Sequence, residues 1–249
     1  MDNTQLVSLS YQLAAYRSMD VIANNLANMS TPGYKRESTK FEQYLSQGAP
    51  TEGDSDSDSD QPISFVKDTG TIRDLSQGNL MNTGSQFDLA VGGSGYFTVQ
   101  MSDGTQRYTR DGHFRLDPSG RIVDADGNSL QGSGGEITVS TEDGDIHVGK
   151  DGIVTGAKGQ LGQVKIVDFD NDRALVKEGS NLYSTTQTPN AVTTPDIEQG
   201  MLENSNVSPV SEISHMLEIM RSYQASANLS QSQQQLMTNA IDKISAVQN

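Results

Sequence analysis

Three histidines, thirty-two carboxylates and no cysteine bound the chemistry available to this chain of 249 residues. His113, His147 and His215 are far apart and lack the spacing of metal ligands. Without cysteine there is no disulfide, no thiolate nucleophile and no Cys-ligated zinc. His113 falls in an alternating stretch, which reads as a surface or packing position. Asp124-Ala125-Asp126-Gly127-Asn128 and Asp168-Phe169-Asp170-Asn171-Asp172 have the alternation of a cation loop, but neither is completed by the Gly and Glu that a calcium loop needs. Asp-rich β-turns account for both. Gly93-Ser94-Gly95 starts like a dinucleotide loop, but Thr98 breaks the pattern and no helix is expected to follow. Neither a Walker sequence nor a G-x-S-x-G elbow occurs. Many carboxylates invite glycoside hydrolysis, yet nothing in the order of residues sets two of them across a substrate. No catalytic set, metal site or cofactor site is expected.

The elements must therefore carry the function. The length suits one or two domains with ample core. A formal net charge of −15 argues against a nucleic-acid partner, which requires a basic footprint. No apolar run is long enough to span a bilayer, so direct membrane insertion is not expected. The N-terminus has no basic residue before Arg17 and no unbroken apolar segment, unlike a secretory signal peptide. Frequent Gly and Asp, sparse aromatics and no Trp fit a turn-rich β protein.

Both ends of the chain have helical periodicity. In residues 4–29, Leu6, Leu9, Leu13, Tyr16, Met19, Ile22, Ala23 and Leu26 recur at steps of three and four and form one stripe. Asn24, Asn25 and Asn28 interrupt it, at roughly 0.5–0.7 kcal/mol each relative to Ala in a helix interior. They are either the fraying end of the helix or an amide set that hydrogen-bonds neighbouring helices and fixes register. Pro32-Gly33 then stops the helix in a type II turn. Residues 34–66 read as an extended connector holding a small apolar cluster of Phe41, Tyr44 and Leu45. Within it, TEGDSDSDSD at 51–60 carries five acids and no base, the composition of a solvated loop.

From 67 to 190 the period changes to two. Phe87, Leu89 and Val91 alternate with Asp88 and Ala90, and Phe97, Val99 and Met101 with Thr98 and Gln100. Turn signals recur at Asp103-Gly104, Asp111-Gly112, Pro118-Ser119-Gly120 and Asp126-Gly127, the rhythm of short antiparallel strands. Further strands are expected at 136–140, 146–148, 153–155 and 163–169. Residues 191–203 read as a linker.

Ser208-Pro209 opens the last helix. A heptad frame places Ile213, Met220, Ala227 and Ile241 at one core position and Met216, Tyr223, Met237 and Ile244 at the other. If continuous to residue 248, this helix is roughly 60 Å long. Residues 222–241 contain no charged side chain, whereas a water-exposed coiled coil carries Glu and Lys beside its seam. Ser, Gln and Asn in those places can pack against copies of themselves without burying ions. The expected architecture is a mostly β body, antiparallel and turn-rich. Its paired N- and C-terminal helices (residues 1–33 with 204–249) form a coiled-coil-like inner domain for assembly.

Several stretches together resemble one family. Ala23-Asn24-Asn25-Leu26-Ala27-Asn28 followed by Thr31-Pro32-Gly33-Tyr34-Lys35 is similar to the N-terminal signature of bacterial flagellar rod and hook proteins, with Lys35 where Arg is more usual. Asp68-Thr69-Gly70-Thr71, Ser76-Gln77-Gly78-Asn79-Leu80, Phe87-Asp88-Leu89-Ala90-Val91, Gly95-Tyr96-Phe97-Thr98-Val99 and Arg107-Tyr108-Thr109-Arg110-Asp111-Gly112 also resemble it. So do Gly200-Met201-Leu202-Glu203-Asn204-Ser205-Asn206-Val207 and Arg221-Ser222-Tyr223-Gln224. The likeness runs patchily over nearly the whole chain, closest in length and middle motifs to the proximal rod members. Distal rod members come next and the longer hook members after them. The acidic insertion at 51–60 is outside the pattern.

The resemblance implies a structural subunit of the periplasm-spanning rod. It implies export without a cleaved signal peptide through the flagellar type III apparatus, and partners that are copies of itself and other rod proteins. It also implies an export-gate motif, for which Phe41 and Leu45 have the right spacing; an apolar patch packing on the β domain explains those two residues equally well. The competing readings are a β-domain binding module on a helical dimerisation stalk and a carboxylate hydrolase.

Overall fold

The computed structural model describes residues 3–46 and 63–247. The acidic stretch 51–60 lies outside the described residues. The protein is mostly β with one helix at each end: α1 spans Asn3–Ala27 and α2 spans Pro209–Val247. It divides into two compact units. One contains residues 1–27, 37–72 and 208–249; the other contains Asn28–Arg36 and Arg73–Val207.

In the helical unit, α1 and α2 pack antiparallel. The Ser8 and Ser226 hydroxyls are 3.0 Å apart near one end, and Asn25 meets Glu212 near the other. Two strands, β1 (Glu37–Ser46) and β2 (Ile63–Arg73), pair as a two-stranded sheet. The Ser18 hydroxyl of α1 is 3.0 Å from that of Thr39, so the sheet belongs with the helices. Sequence reading treats 34–66 as a connector. Most of its described part is strand, because β1 finds backbone partners in β2 and a side-chain partner in α1.

The second unit is the β body. Its first segment leaves α1 through the expected turn. Tyr34 N–H donates to Thr31 O at 3.3 Å, and Gly33 has φ +67°, as the third position of a type II turn requires. The body then adds β3 (Leu80–Asn82), β4 (Leu89–Val91), β5 (Tyr96–Gln100) and β6 (Gln106–Thr109). Strands β5 and β6 pair antiparallel with Thr98 opposite Tyr108. They are central to a ten-stranded sheet that includes Ser129–Gly132, Ile166–Asp168 and Leu182–Ser184. A three-stranded sheet covers residues 147–163.

Residues 191–203, read as a linker, hold the end of the strand Asn190–Ala191 and two whole strands. Ile197–Gln199 pairs with β4 and Met201–Glu203 pairs with β3. Short strands rich in polar residues carry little periodic signal. Their partners lie more than a hundred residues earlier, so only the fold reveals them.

Strand β5 also differs from its alternating pattern, since Tyr96 through Val99 are all buried. Phe97 and Val99 enter the main core with Leu89, Phe114, Leu130 and Ile166. Tyr96, on the other face, joins Tyr108, Phe169 and Tyr183 in a second cluster. The sheet is covered on both sides there, so its polar-looking face is not a water face.

Candidate functional site

On α1 the residues facing the rest of the helical unit mix small, polar and apolar side chains. Ala15, Ser18 and Asn25 are buried along with Val21 and Ile22, and Ser8 reaches α2. On α2 the inward line is Glu212, Met216, Ile219, Tyr223 and Ser226, with Glu212 fully buried. Other large apolar side chains of α1 point outward: Leu13 is 63 % exposed, Tyr16 62 % and Leu9 52 %. On α2, Val210, Ile213, Leu217, Met220, Leu229, Leu236 and Met237 are exposed as well.

The expected assembly residues therefore separate into two sets. Leu6, Met19, Leu26, Met216, Tyr223 and Ala227 are half-buried; Leu9, Leu13, Tyr16, Ile213, Met220 and Met237 face outward. In the heptad frame, the position of Met216 and Tyr223 lies in the seam with α1. The position of Ile213 and Met220 lies beside it, and its inward counterparts are Glu212 and Ile219. Phe41 is half-buried in β1. The side chains of Leu45, Ile241 and Ile244 are outside the described residues.

The three asparagines have different surroundings. Asn24 is exposed, and Asn28 lies past the helix, where its Oδ1 accepts the Thr31 hydroxyl at 3.2 Å. Asn25 is fully buried. Its Nδ2 donates to Glu37 O at 2.7 Å and to Glu212 Oε2 at 3.0 Å, and its Oδ1 accepts from Glu37 N at 2.9 Å. One amide thus joins α1, β1 and α2. Of the three amides, Asn25 alone bonds both β1 and α2 of its own chain. Asn25→Ala withdraws these bonds from buried partners at about 1–3 kcal/mol each. Hydrogen exchange should show α1 opening more readily, with the β body unchanged. Unchanged α1 protection would disprove the joint.

A second buried polar node lies inside the β body. Lys35 Nζ is 2.5 Å from Glu203 Oε1, and both side chains are buried. Lys35 also donates to Ser76 O at 2.8 Å, and Gly78 N–H donates to Glu203 Oε1 at 3.0 Å. Arg110 reaches Glu203 Oε2 at 3.4 Å, donates to Gly93 O at 2.8 Å and lies 5.2 Å over the Tyr96 ring. Gly33 N–H donates to Glu203 O at 2.7 Å. Burial pushes the Lys35 ammonium below its usual value, and the Glu203 charge opposes that shift. Next to the node, Asn206 accepts from Arg36 N at 2.7 Å and donates to Asp74 O and Ser76 O.

Glu203 and Glu212 escaped sequence reading as candidates. An acid in the first turn of a helix or beside Asn in a short strand reads as a surface charge.

The other polar candidates serve turns. Asp124 Oδ1 accepts N–H bonds from Asp126 and Asn128, closing its own loop. His113 Nδ1 is 2.9 Å from buried Asp88, while its ring is mostly exposed. Among the described residues no group of three His, Asp or Glu side chains is arranged to hold a metal ion. No helix among them is long and apolar enough to cross a membrane.

Fold and nodes together fit a structural protein: buried polar groups join chain segments to one another, and several large apolar side chains lie exposed on both helices. Comparison with known proteins agrees. The flagella basal body rod protein model matches residues 12–35, the flagellar hook protein FlgE/F/G D1 domain model residues 90–156, and the flagellar basal body rod FlgEFG C-terminal model residues 198–243. The chain is 40 % identical to the flagellar basal-body rod protein FlgF of Caulobacter vibrioides, over 99 % of this chain and the whole of that protein. It is 35 % identical to FlgG of Buchnera aphidicola over 88 % of this chain and 91 % of that one. Against FlgF of Mesorhizobium japonicum it is 30 % identical over 92 % of both. The chain belongs to the flagellar basal-body rod protein family, whose members are structural proteins rather than enzymes.

Proposed function

We propose that this protein is a subunit of the proximal part of the flagellar rod and polymerises through its terminal helices, packed in coiled-coil fashion between copies. The observation that carries this reading is the outward set of large apolar side chains on both helices, combined with the ion-poor stretch 222–241. Leu13, Tyr16 and Leu217 gain burial only when other molecules cover them. Torque passes through such a shaft because many small side-chain contacts bear load in parallel. Copies of the chain and other rod proteins are the partners. The rod crosses the periplasm, and subunits reach its tip through the flagellar type III apparatus without a cleaved signal peptide. Phe41 and Leu45 are the residues proposed to engage the export gate.

A strain lacking this chain should be non-motile and should lack rod beyond its innermost segment, with both defects restored by the intact gene. Motile deletion cells with complete basal bodies would refute the assignment.

A further inference from the structure

The pairing of β1 with β2 needs something to set its register. Sixteen residues join Ser46 to Ile63, so the described strands are not connected by the two-residue turn that ordinarily fixes a hairpin. A two-stranded sheet is also marginal in water by itself. The run Glu37-Ser38-Thr39-Lys40 is polar at every position and prefers no register by burial. Strand β1 is fixed to α1, since Asn25 bonds both backbone groups of Glu37 and the Thr39 hydroxyl is 3.0 Å from that of Ser18. Strand β2 must still be placed against β1.

We propose that Asn206 is the positioning residue that does this: its side-chain amide is spliced into the rung at the root of the two strands and sets the register of β2 on β1. In a regular antiparallel rung the two residues exchange both N–H···O bonds. Here Asp74 N–H donates to Arg36 O at 2.8 Å. The return bond runs through Asn206: Arg36 N–H donates to its Oδ1 at 2.7 Å, and its Nδ2 donates to Asp74 O at 2.9 Å. One planar amide stands in for a peptide group, with its acceptor on one strand and its donor on the other. Nδ2 also lies 3.0 Å from Ser76 O and 3.1 Å from Ser76 Oγ, and Ser76 N–H donates to Asp74 Oδ1 at 3.0 Å, so the chain leaving β2 is held in the same group of bonds. Asn206 is itself placed by the body. It follows Glu203, whose strand pairs with β3 and whose carboxylate meets Lys35 and Arg110. A slip of β2 by one residue would turn its side chains to the opposite face and take the Asp74 carbonyl away from the amide. Aspartate in place of Asn206 lacks the donor, and glutamine sets the amide one methylene further out.

Two full-length variants test this by hydrogen exchange and by nuclear Overhauser contacts. Asn206→Leu removes donor and acceptor at similar volume. Asn206→Asp is nearly the same shape and keeps only the acceptor. In Asn206→Leu the amides of β1 and β2 should exchange at least about tenfold faster, while those of β5 and β6 in the body keep their rates. Asn206→Asp should also speed exchange in β2, because a carboxylate cannot donate to Asp74 O. In the unaltered chain Glu37 and Arg73, one step along from the spliced rung, should show a strong contact between their α-protons. That contact should weaken in both variants. Unchanged exchange in β1 and β2 in both variants would overturn the proposal. Exchange that rises equally in β5 and β6 would overturn it too, since Asn206 would then serve the stability of the body. Faster exchange with the Glu37–Arg73 contact intact would show that the amide closes the root without setting the register, which equally defeats it.

Discussion

Glu203→Leu is expected to cost the β body about 3–5 kcal/mol, the range for removing one partner from a buried ion pair. Lys35 and Arg110 are 2 % and 7 % exposed, and both lose their carboxylate in this variant. The Gly78 N–H loses its acceptor as well. Leucine fills most of the volume, so the loss reports electrostatics and hydrogen bonding rather than a cavity. Adding Lys35→Met to Glu203→Leu should cost much less than Lys35→Met does in the wild type, because the second change removes an already unpaired charge. Urea unfolding read through Tyr96, Tyr108 and Tyr183, which sit together in the body, measures both quantities. A loss below about 1 kcal/mol for the single variant would show that the node is not the joint it looks to be.

Gly33→Ala is the second large expected effect. Gly33 has φ +67°, where a side chain costs roughly 1–2 kcal/mol on conformation alone. An added Cβ would also stand 2.5 Å from Arg110 C and from Asp111 N. Those are backbone atoms and cannot swing aside. The turn must shift, and with it the Gly33 N–H bond to Glu203 O and the neighbouring Lys35. Gly104→Ala is the matched control: φ is +84°, with nothing within 4 Å of the new carbon. The Gly104 variant should lose only the conformational part, and the Gly33 variant clearly more. Equal losses would mean that the close approach to Arg110 is unimportant.

These two positions show what the distant motif stretches do. Thr31-Pro32-Gly33-Tyr34-Lys35, Arg110-Asp111 and Met201-Leu202-Glu203 are separate in the chain and adjacent in the body. Asn181 Nδ2 adds a bond to Pro32 O at 3.0 Å, and the Lys177 ammonium lies 4.4 Å over the Tyr34 ring. The segment that follows α1 is thereby held in the body by one turn, one ion pair and one ring contact. A motif that reads as a family signature is, physically, the set of residues that builds this attachment.

The sequence alone determined the elements. Steps of three and four placed both helices to within a few residues, because an amphipathic repeat this long has no competing explanation. Alternation with Asp-Gly turns gave the antiparallel body, and Pro32-Gly33 gave the turn between them. The tertiary structure decided which side of each element is inward. Periodicity says that Leu9, Leu13 and Tyr16 share a face; it cannot say whether that face meets the chain's own second helix or the outside. Here the seam combines half-buried Met216 and Tyr223 with two polar contacts, Ser8 to Ser226 and Asn25 to Glu212, which pin the register of the two helices. The Lys35–Glu203 pair was equally beyond sequence reading. Its members are 168 positions apart, and opposite charges at that separation carry no signal until the strand pairing of Met201–Glu203 with β3 brings them together.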